Sequence, residues 1–204
     1  LGLSGAHWMT MLTLGWLIRS RPKSLLDNSP LRELLTRHLD FRGIERSIAN
    51  GALHALSISA SGYESGDNIN FFQGHADAQP WHRVQRIGIR SEIGVDHLLA
   101  SSAIPFIFPA TKIHREFFGD GSMRQLAPIS PAIHLGAERV LIVGAGRKNE
   151  HHERRRVDGH PSLAQIAGHA LSSIFLDSLA VDIERMQRIN RTLAAIPPDV
   201  RENN

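Results

Sequence analysis

Hydrophobic positions along the chain follow helical spacing in some stretches and strand-like alternation in others, which predicts an α/β fold. Ser29 and Pro30 predict an N-cap and a first helical residue before a leucine-rich helix. Further helices are predicted at residues 2–18, 44–50 and 95–103, after Ser130-Pro131, and as a pair within residues 162–195. Strands are predicted at residues 52–61, 68–72, 112–114, 116–118 and 139–143. The mixed order of strands and helices predicts a sheet covered by helices.

Small and polar residues predict where these elements end. Gly51 and Gly136 each follow a predicted helix and indicate C-terminal caps. Residues 62–67 join two alternating runs and predict a hairpin. Residues 139–143 are a β-branched run between glycines, which is typical of a buried strand. The first helix has an apolar face but lacks the lysines and arginines of a membrane-surface helix, so we interpret it as a packing helix.

Composition excludes several classes of protein. The 204 residues are 42% hydrophobic and 21% charged, as expected for one globular domain. The absence of cysteine excludes disulfides, thiolate metal sites and cysteine nucleophiles. A net charge of +3 argues against a nucleic-acid partner. Residues 9–18, the most apolar stretch near the start, are too short to span a bilayer and lack signal-peptide flanks, so we favour a cytoplasmic location.

Most of the candidate catalytic and ligand-binding residues match no established pattern. No G-x-S-x-G pentapeptide is present, and Ser4 and Ser65 have the spacing of turn or cap serines. The 12 histidines include no H-x-H or H-E-x-x-H pair, and we interpret them, including the adjacent His151 and His152, as surface residues without a metal. Residues 144–146 read G-A-G after a predicted strand, which leaves a nucleotide-binding loop as a weaker alternative.

Asp120 is the exception. Gly119 and Gly121 flank it, and they predict a tight turn with no bulky neighbour to block the carboxylate. The apolar residues that precede it would desolvate a carboxylate, as a general base requires; they are Phe106, Ile107, Phe108, Phe117 and Phe118. The alternative is a structural turn in which Asp120 only bonds its own backbone, and the local residues alone favour this alternative.

Four motifs that follow one another along the chain favour the catalytic interpretation of Asp120 over the structural one. Residues 100–109 read A-S-S-A-I-P-F-I-F-P, residues 118–122 read F-G-D-G-S, residues 127–132 read A-P-I-S-P-A, and residues 135–140 read L-G-A-E-R-V. This series resembles the C-terminal half of the patatin-like phospholipases. The resemblance covers most of residues 24–145 and implies a three-layer α/β fold.

The resemblance also implies a Ser–Asp catalytic dyad. Asp120 matches the aspartate that acts as base in the family's D-G-[GA] motif, Gly121 matches its glycine, and Ser122 stands where the family has glycine or alanine. The nucleophilic serine and the oxyanion loop have no counterpart here. We therefore expect residues 1–204 to be a partial, C-terminal portion of such a domain, with its core in residues 24–145 and C-terminal helices in residues 160–196. The strand at residues 52–61 would border the missing part of the sheet.

The implied activity is hydrolysis of carboxylic ester bonds in lipids, either phospholipids or acylglycerols. It implies a lipid substrate with contact at a membrane surface, and no metal or organic cofactor. The alternative is a catalytically inactive fragment that binds lipid or a protein partner.

Overall fold

A computed structural model describes residues 24–143 and 162–196. The helices are α1 (Ser29–His38), α2 (Arg42–Ala49), α3 (Val95–Ser101), α4 (Ser130–His134) and α5 (Leu163–Ala195), with a 3-10 helix at Gly121–Arg124. The strands are β1 (Ala55–Gly62), β2 (Asn68–Gly74), β3 (Trp81–Arg83), β4 (Arg86–Arg90), β5 (Thr111–Ile113) and β6 (Glu116–Asp120). The helix predicted at residues 2–18, the glycines of residues 144–146, and His151 and His152 lie outside the described residues.

The six strands form one mixed sheet in the order β3-β4-β2-β1-β6-β5. β1 pairs antiparallel with β2, which confirms the predicted hairpin, and β2 pairs parallel with β4. β6 pairs antiparallel with both β1 and β5. A mixed sheet with helices confirms the predicted α/β class.

The main hydrophobic core lies against one face of this sheet. Alternate residues of β1 and β2 face it, because successive side chains of a strand point to opposite faces. α2 and α3 cover this face with partly buried Phe41 and Ile44 and with Leu98 and Ala100. The fully or largely buried members are Ile58, Ala60, Ile69, Phe71, Ile93, Ala100, Ile113 and Phe118.

The opposite face of the sheet holds a smaller apolar cluster and a polar region. Phe72 stacks on Trp81 with ring centroids 5.4 Å apart, and His134 of α4 stacks on the same indole at 4.8 Å. The polar region is formed by side chains that alternate along β1 and β2, namely Ser57, Ser59, Ser61, Asn68 and Asn70. α5 approaches this side and packs against the 3-10 helix that follows β6.

β1 is only partly enclosed by other strands. It pairs with β2 along residues 55–61, but with β6 only at Ala60, Ser61 and Gly62. Residues 55–59 therefore have a strand on one edge alone within the part of the chain that the structure describes.

The predicted C-terminal caps of the helices are confirmed, and the predicted N-terminal cap is corrected. Gly51 and Gly136 have φ angles of +76° and +88°, which favour glycine. Asn28, rather than Ser29, occupies the N-cap position of α1, and Ile129 occupies that of α4, which begins at Ser130. Each proline is then the second helical residue, where its missing N–H leaves no helical hydrogen bond unmade.

Two predicted elements differ from the structure, and two strands were not predicted. Residues 139–143 form no strand, because no described strand lies beside them to pair with, and Leu141 and Val143 are almost fully exposed. Residues 163–195 form one 33-residue helix instead of the pair predicted within residues 162–195, since no proline or turn interrupts them. β3 and β4 escaped prediction because they are short and rich in arginine.

Candidate functional site

Asp120 is the last residue of β6 and lies where the sheet meets two loops. Its Cα pairs with Ala60 of β1, and its backbone N–H donates to the carbonyl of Ala103, 3.0 Å away. Ala103 follows α3 and begins the segment that contains Ile104 and Pro105. The pairing of β6 with β1 and the hydrogen bond to Ala103 therefore fix the backbone of Asp120, and they place its half-buried side chain beside the residue 100–109 motif.

The Asp120 carboxylate caps the turn that follows it. Oδ1 accepts a hydrogen bond from the Ser122 N–H at 2.9 Å and another from the Ser122 hydroxyl at 2.5 Å. The chain then forms the 3-10 helix, so the tight turn predicted at residues 119–121 is the start of that helix, with Asp120 at its N-cap. Oδ2 has no hydrogen-bond partner among the residues whose side chains the structure describes. One oxygen thus holds the turn, and the other is available to a group from outside.

The two flanking glycines are required by close packing. A Cβ on Gly121 would lie 2.2 Å from the carbonyl oxygen of Ser59, and a Cβ on Gly119 would lie 2.6 Å from the Tyr63 hydroxyl. Neither glycine has a positive φ. The glycines therefore let β1 and Tyr63 approach the backbone of Asp120, rather than bending the chain as the sequence suggested.

A buried chain of polar side chains supports this loop from below. Asn68 is fully buried and donates to the Gly121 carbonyl at 2.9 Å. The side-chain amide of Asn70 donates to the side-chain oxygen Oδ1 of Asn68 at 3.2 Å, and Oδ1 of Asn70 accepts from the Ser59 hydroxyl at 2.6 Å. Gln125 of the same loop donates to Ser59 at 3.4 Å. Sequence reasoning missed these residues, although N-x-N in a strand places both amides on one face of the sheet.

Two further contacts define the surroundings of Asp120. Burial first, and then the negative charge of Asp120, raise the pKa of the Tyr63 phenol, which keeps the hydroxyl protonated near the carboxylate. Asp182 of α5 is buried and accepts a hydrogen bond from the Ile129 N–H at 3.0 Å. That bond ties α5 to the segment that follows the 3-10 helix.

A groove of about 560 Å³ runs along the polar face beside this loop. Ser57 and Ser59 of β1 line one side, and Pro128, Pro131 and Leu135 line the other. The Ser57 hydroxyl is buried without a hydrogen-bond partner among the described residues. The groove follows the part of β1 that lacks a second strand neighbour.

The apolar residues expected around Asp120 are only partly buried. Phe118 is in the core, whereas Phe106 is 75% exposed. The backbone N–H groups of Leu25 and Leu26 donate to the carbonyls of Phe106 and Ile107, each at 2.8 Å. These leucines are also exposed. We call Leu25, Leu26 and Phe106 the apolar patch. Two residues, Ile104 and Pro105, separate Phe106 from Ala103, whose carbonyl accepts the hydrogen bond from Asp120.

Comparison with known proteins identifies the family. The sequence model of the patatin-like phospholipases matches residues 4–133, which is more than half of the chain. The chain belongs to the patatin-like phospholipase family. Neither the search of curated proteins nor the search of solved structures finds a match.

Membership in the patatin-like phospholipase family makes lipid hydrolysis the general chemistry associated with this domain. The matched residues include Asp120, Gly121 and Ser122 and end before the exposed run at residues 139–143. None of the helices in the described parts of the chain is long and apolar enough to cross a membrane.

Proposed function

We propose that this chain supplies the general base of a patatin-like lipid acyl hydrolase, with Asp120 as that base. The observation that carries the proposal is the geometry of the carboxylate. Oδ1 is held by Ser122, the backbone is held by Ala60 and Ala103, and Oδ2 has no partner among the described residues. A general base requires a fixed carboxylate with an oxygen left to accept a proton.

The nucleophilic serine would come from a segment outside these 204 residues, because no G-x-S-x-G pentapeptide occurs in them. Asp120 would take the proton from the serine hydroxyl as its oxygen attacks the ester carbonyl. The same proton would pass to the departing alcohol. In the second half of the reaction Asp120 would take a proton from water as the water oxygen attacks the carbonyl of the acyl-serine. The bond between the acyl carbon and the serine oxygen would then break, and Asp120 would return the proton to that oxygen, which releases the fatty acid and regenerates the serine.

The apolar patch supports a lipid substrate. Leu25, Leu26 and Phe106 expose large side chains together, and backbone hydrogen bonds hold their segments in place. Exposed apolar groups of this kind suit contact with a lipid surface. The patch would let the enzyme approach phospholipid or acylglycerol at an interface on the side of the Ala103 segment.

Replacing Asp120 with Asn tests the proposal in the polypeptide that carries these residues together with a G-x-S-x-G segment. We expect kcat/KM to fall by at least roughly 10²-fold, because an amide cannot accept the serine proton. The fold should persist, since the asparagine oxygen can still accept the two bonds from Ser122. Hydrolysis of phospholipid vesicles and a melting curve would be measured on the same samples.

Asp67→Asn is the matched control, because Asp67 also follows a glycine in a turn but lies at the β1–β2 hairpin. Its activity should stay within a few-fold of the wild type. The structural alternative makes Asp120 only the cap of the 3-10 helix. Near-normal turnover by Asp120→Asn would establish that alternative and remove Asp120 from the mechanism.

A further inference from the structure

Two histidines and one aspartate from separate parts of the sequence meet at one end of the β1–β2 hairpin. Ala55 pairs with Gly74, so His54 and His75 are neighbours across the two strands. The Nδ1 atom of His75 lies 2.8 Å from Oδ1 of Asp77, and Nε2 of His54 lies 3.7 Å from the same oxygen. All three potential ligand atoms lie within 4.8 Å of one another.

Backbone hydrogen bonds hold these three residues in place. The His75 N–H donates to the His54 carbonyl at 2.8 Å, and the Ala78 N–H closes the turn around Asp77 by donating to the His75 carbonyl at 3.1 Å. The Arg90 guanidinium donates to the carbonyls of Gly74 and His75 at 2.8 and 3.0 Å. The side chains therefore converge because the main chain is fixed, and not through one flexible contact.

We propose that His54, His75 and Asp77 form a zinc-binding site. Two imidazoles with one carboxylate are a ligand set that zinc commonly takes, with a further position for water. Ligands about 2.0–2.1 Å from a tetrahedral zinc are roughly 3.3 Å from each other. The spacings of 2.8 and 3.7 Å to Asp77 bracket that value, so small side-chain rotations would complete the site.

The surroundings suit an ion that ties two segments together. Each of the three side chains is at least half exposed, which leaves the open side accessible to water or another ligand. His54 also lines the groove described above, together with Gly136. Bound zinc would join the start of β1 to the turn after β2 and fix this rim of the groove. The proposal is independent of the role of Asp120.

Calorimetric titration of the untagged chain with Zn²⁺ tests the site. Because the sequence has 12 histidines, binding is assigned by differences between variants. His54→Ala and Asp77→Asn should each weaken the strongest zinc binding by at least about tenfold, as loss of a ligand should cost no less than loss of a supporting residue. His38→Ala, which removes an exposed histidine at the end of α1, should bind like the wild type.

Thermal unfolding provides a second measurement on the same proteins. Zn²⁺ should raise the melting temperature of the wild type and of His38→Ala, and a chelator should reverse the shift. The two site variants should show little shift. Asp77→Asn is nearly isosteric, so it decides the matter if His54→Ala misfolds. Equal zinc affinity in all four proteins, or no zinc binding by the wild type, would overturn the proposal.

Discussion

The residues around Asp120 show how a sequence motif can be recognised before the contacts that require its residues are known. The sequence predicted the importance of Asp120 and Gly121 through motif order. It could not show that Gly121 is required because the Ser59 carbonyl lies against it, since that contact depends on the pairing of β1 with β6. Asn68 and Asn70 were missed for the same reason: Asn68 donates to Gly121, and Asn70 accepts from Ser59 on the neighbouring strand.

The Gly121→Ala substitution should destabilise the protein. The new Cβ would lie 2.2 Å from a backbone oxygen that cannot rotate away, so β1 or the loop must shift. Overpacking of this kind costs about 1–3 kcal/mol. Urea unfolding of the wild type and the variant measures the change in the free energy of unfolding.

Gly168→Ala is the opposing control for that prediction. Gly168 lies inside α5, and a Cβ there would meet no atom within 4 Å. Alanine in a helix interior should therefore raise stability by about 0.5–1 kcal/mol. A loss of stability in Gly168→Ala, or none in Gly121→Ala, would contradict the steric interpretation of these glycines.

At the scale of elements, local sequence patterns correctly predicted the helices and the hairpin whose formation depends on residues close in sequence. The hairpin, α2 and α3 are each stabilised by residues close in sequence, and their positions were correct to within a few residues. Residues 139–143 had the composition of a buried strand, but a strand also needs a neighbour, which composition cannot supply. In β4 the situation is reversed. Its arginines give it a composition that does not indicate a strand, but its parallel pairing with β2 stabilises it as one.

His97 caps the start of α3, and this cap should make the stability of the protein depend on pH. Nδ1 of His97 accepts a hydrogen bond from the Gly94 N–H at 3.1 Å, and the ring meets Phe71 edge-on at 4.8 Å. Nε2 is buried without a hydrogen-bond partner among the described residues. Burial lowers the pKa of His97 from its ordinary value near 6.5, while the charge of Asp96 opposes this shift.

The stabilising effect of neutral His97 should therefore disappear in acid. A lowered pKa in the folded state means that the unfolded chain binds the proton more readily, so stability is complete above about pH 6.5 and falls as the pH decreases through the folded-state pKa. Chemical unfolding between pH 7.5 and 5 should show this loss. His97→Asn should reduce the dependence on pH, because its side-chain oxygen can accept from Gly94 but does not titrate.

The exposed His38 provides the comparison for His97, since it lies at the end of α1. His38→Asn should keep the wild-type dependence of stability on pH. If His97→Asn and the wild type lose the same stability between pH 7.5 and 5, the acid sensitivity arises elsewhere and the interpretation of the α3 cap is wrong.

At the scale of the whole molecule, sequence motifs were sufficient for the fold class and the family but not for sites built by strand pairing. The four motifs at residues 100–140 depend on order along the chain, which a sequence shows directly. The cluster of His54, His75 and Asp77 depends on the register of β1 against β2. An H-x-D triplet at the end of a predicted hairpin was the one signal that could have drawn attention to it.

The same whole-molecule comparison predicts that the 204-residue chain alone does not hydrolyse esters. Asp120 can accept a proton, but a dyad also needs a nucleophile on a strand-to-helix turn and backbone donors for the oxyanion. No G-x-S-x-G segment in these residues provides that arrangement. We expect no hydrolysis of p-nitrophenyl esters above the buffer rate, and no covalent labelling by a fluorophosphonate.

Ser122 makes this prediction a demanding one, because its hydroxyl already donates to Oδ1 of Asp120 at 2.5 Å. That contact lies within one turn, where the serine serves the cap of the 3-10 helix. We therefore expect Ser122→Ala to behave like the wild-type chain in both assays, with an active serine esterase as the positive control. Ester turnover or fluorophosphonate labelling that disappears in Ser122→Ala would instead identify Ser122 as a nucleophile paired with Asp120. Asp120 would then need no serine from another segment. That result would overturn the proposal that the nucleophilic serine lies outside these 204 residues.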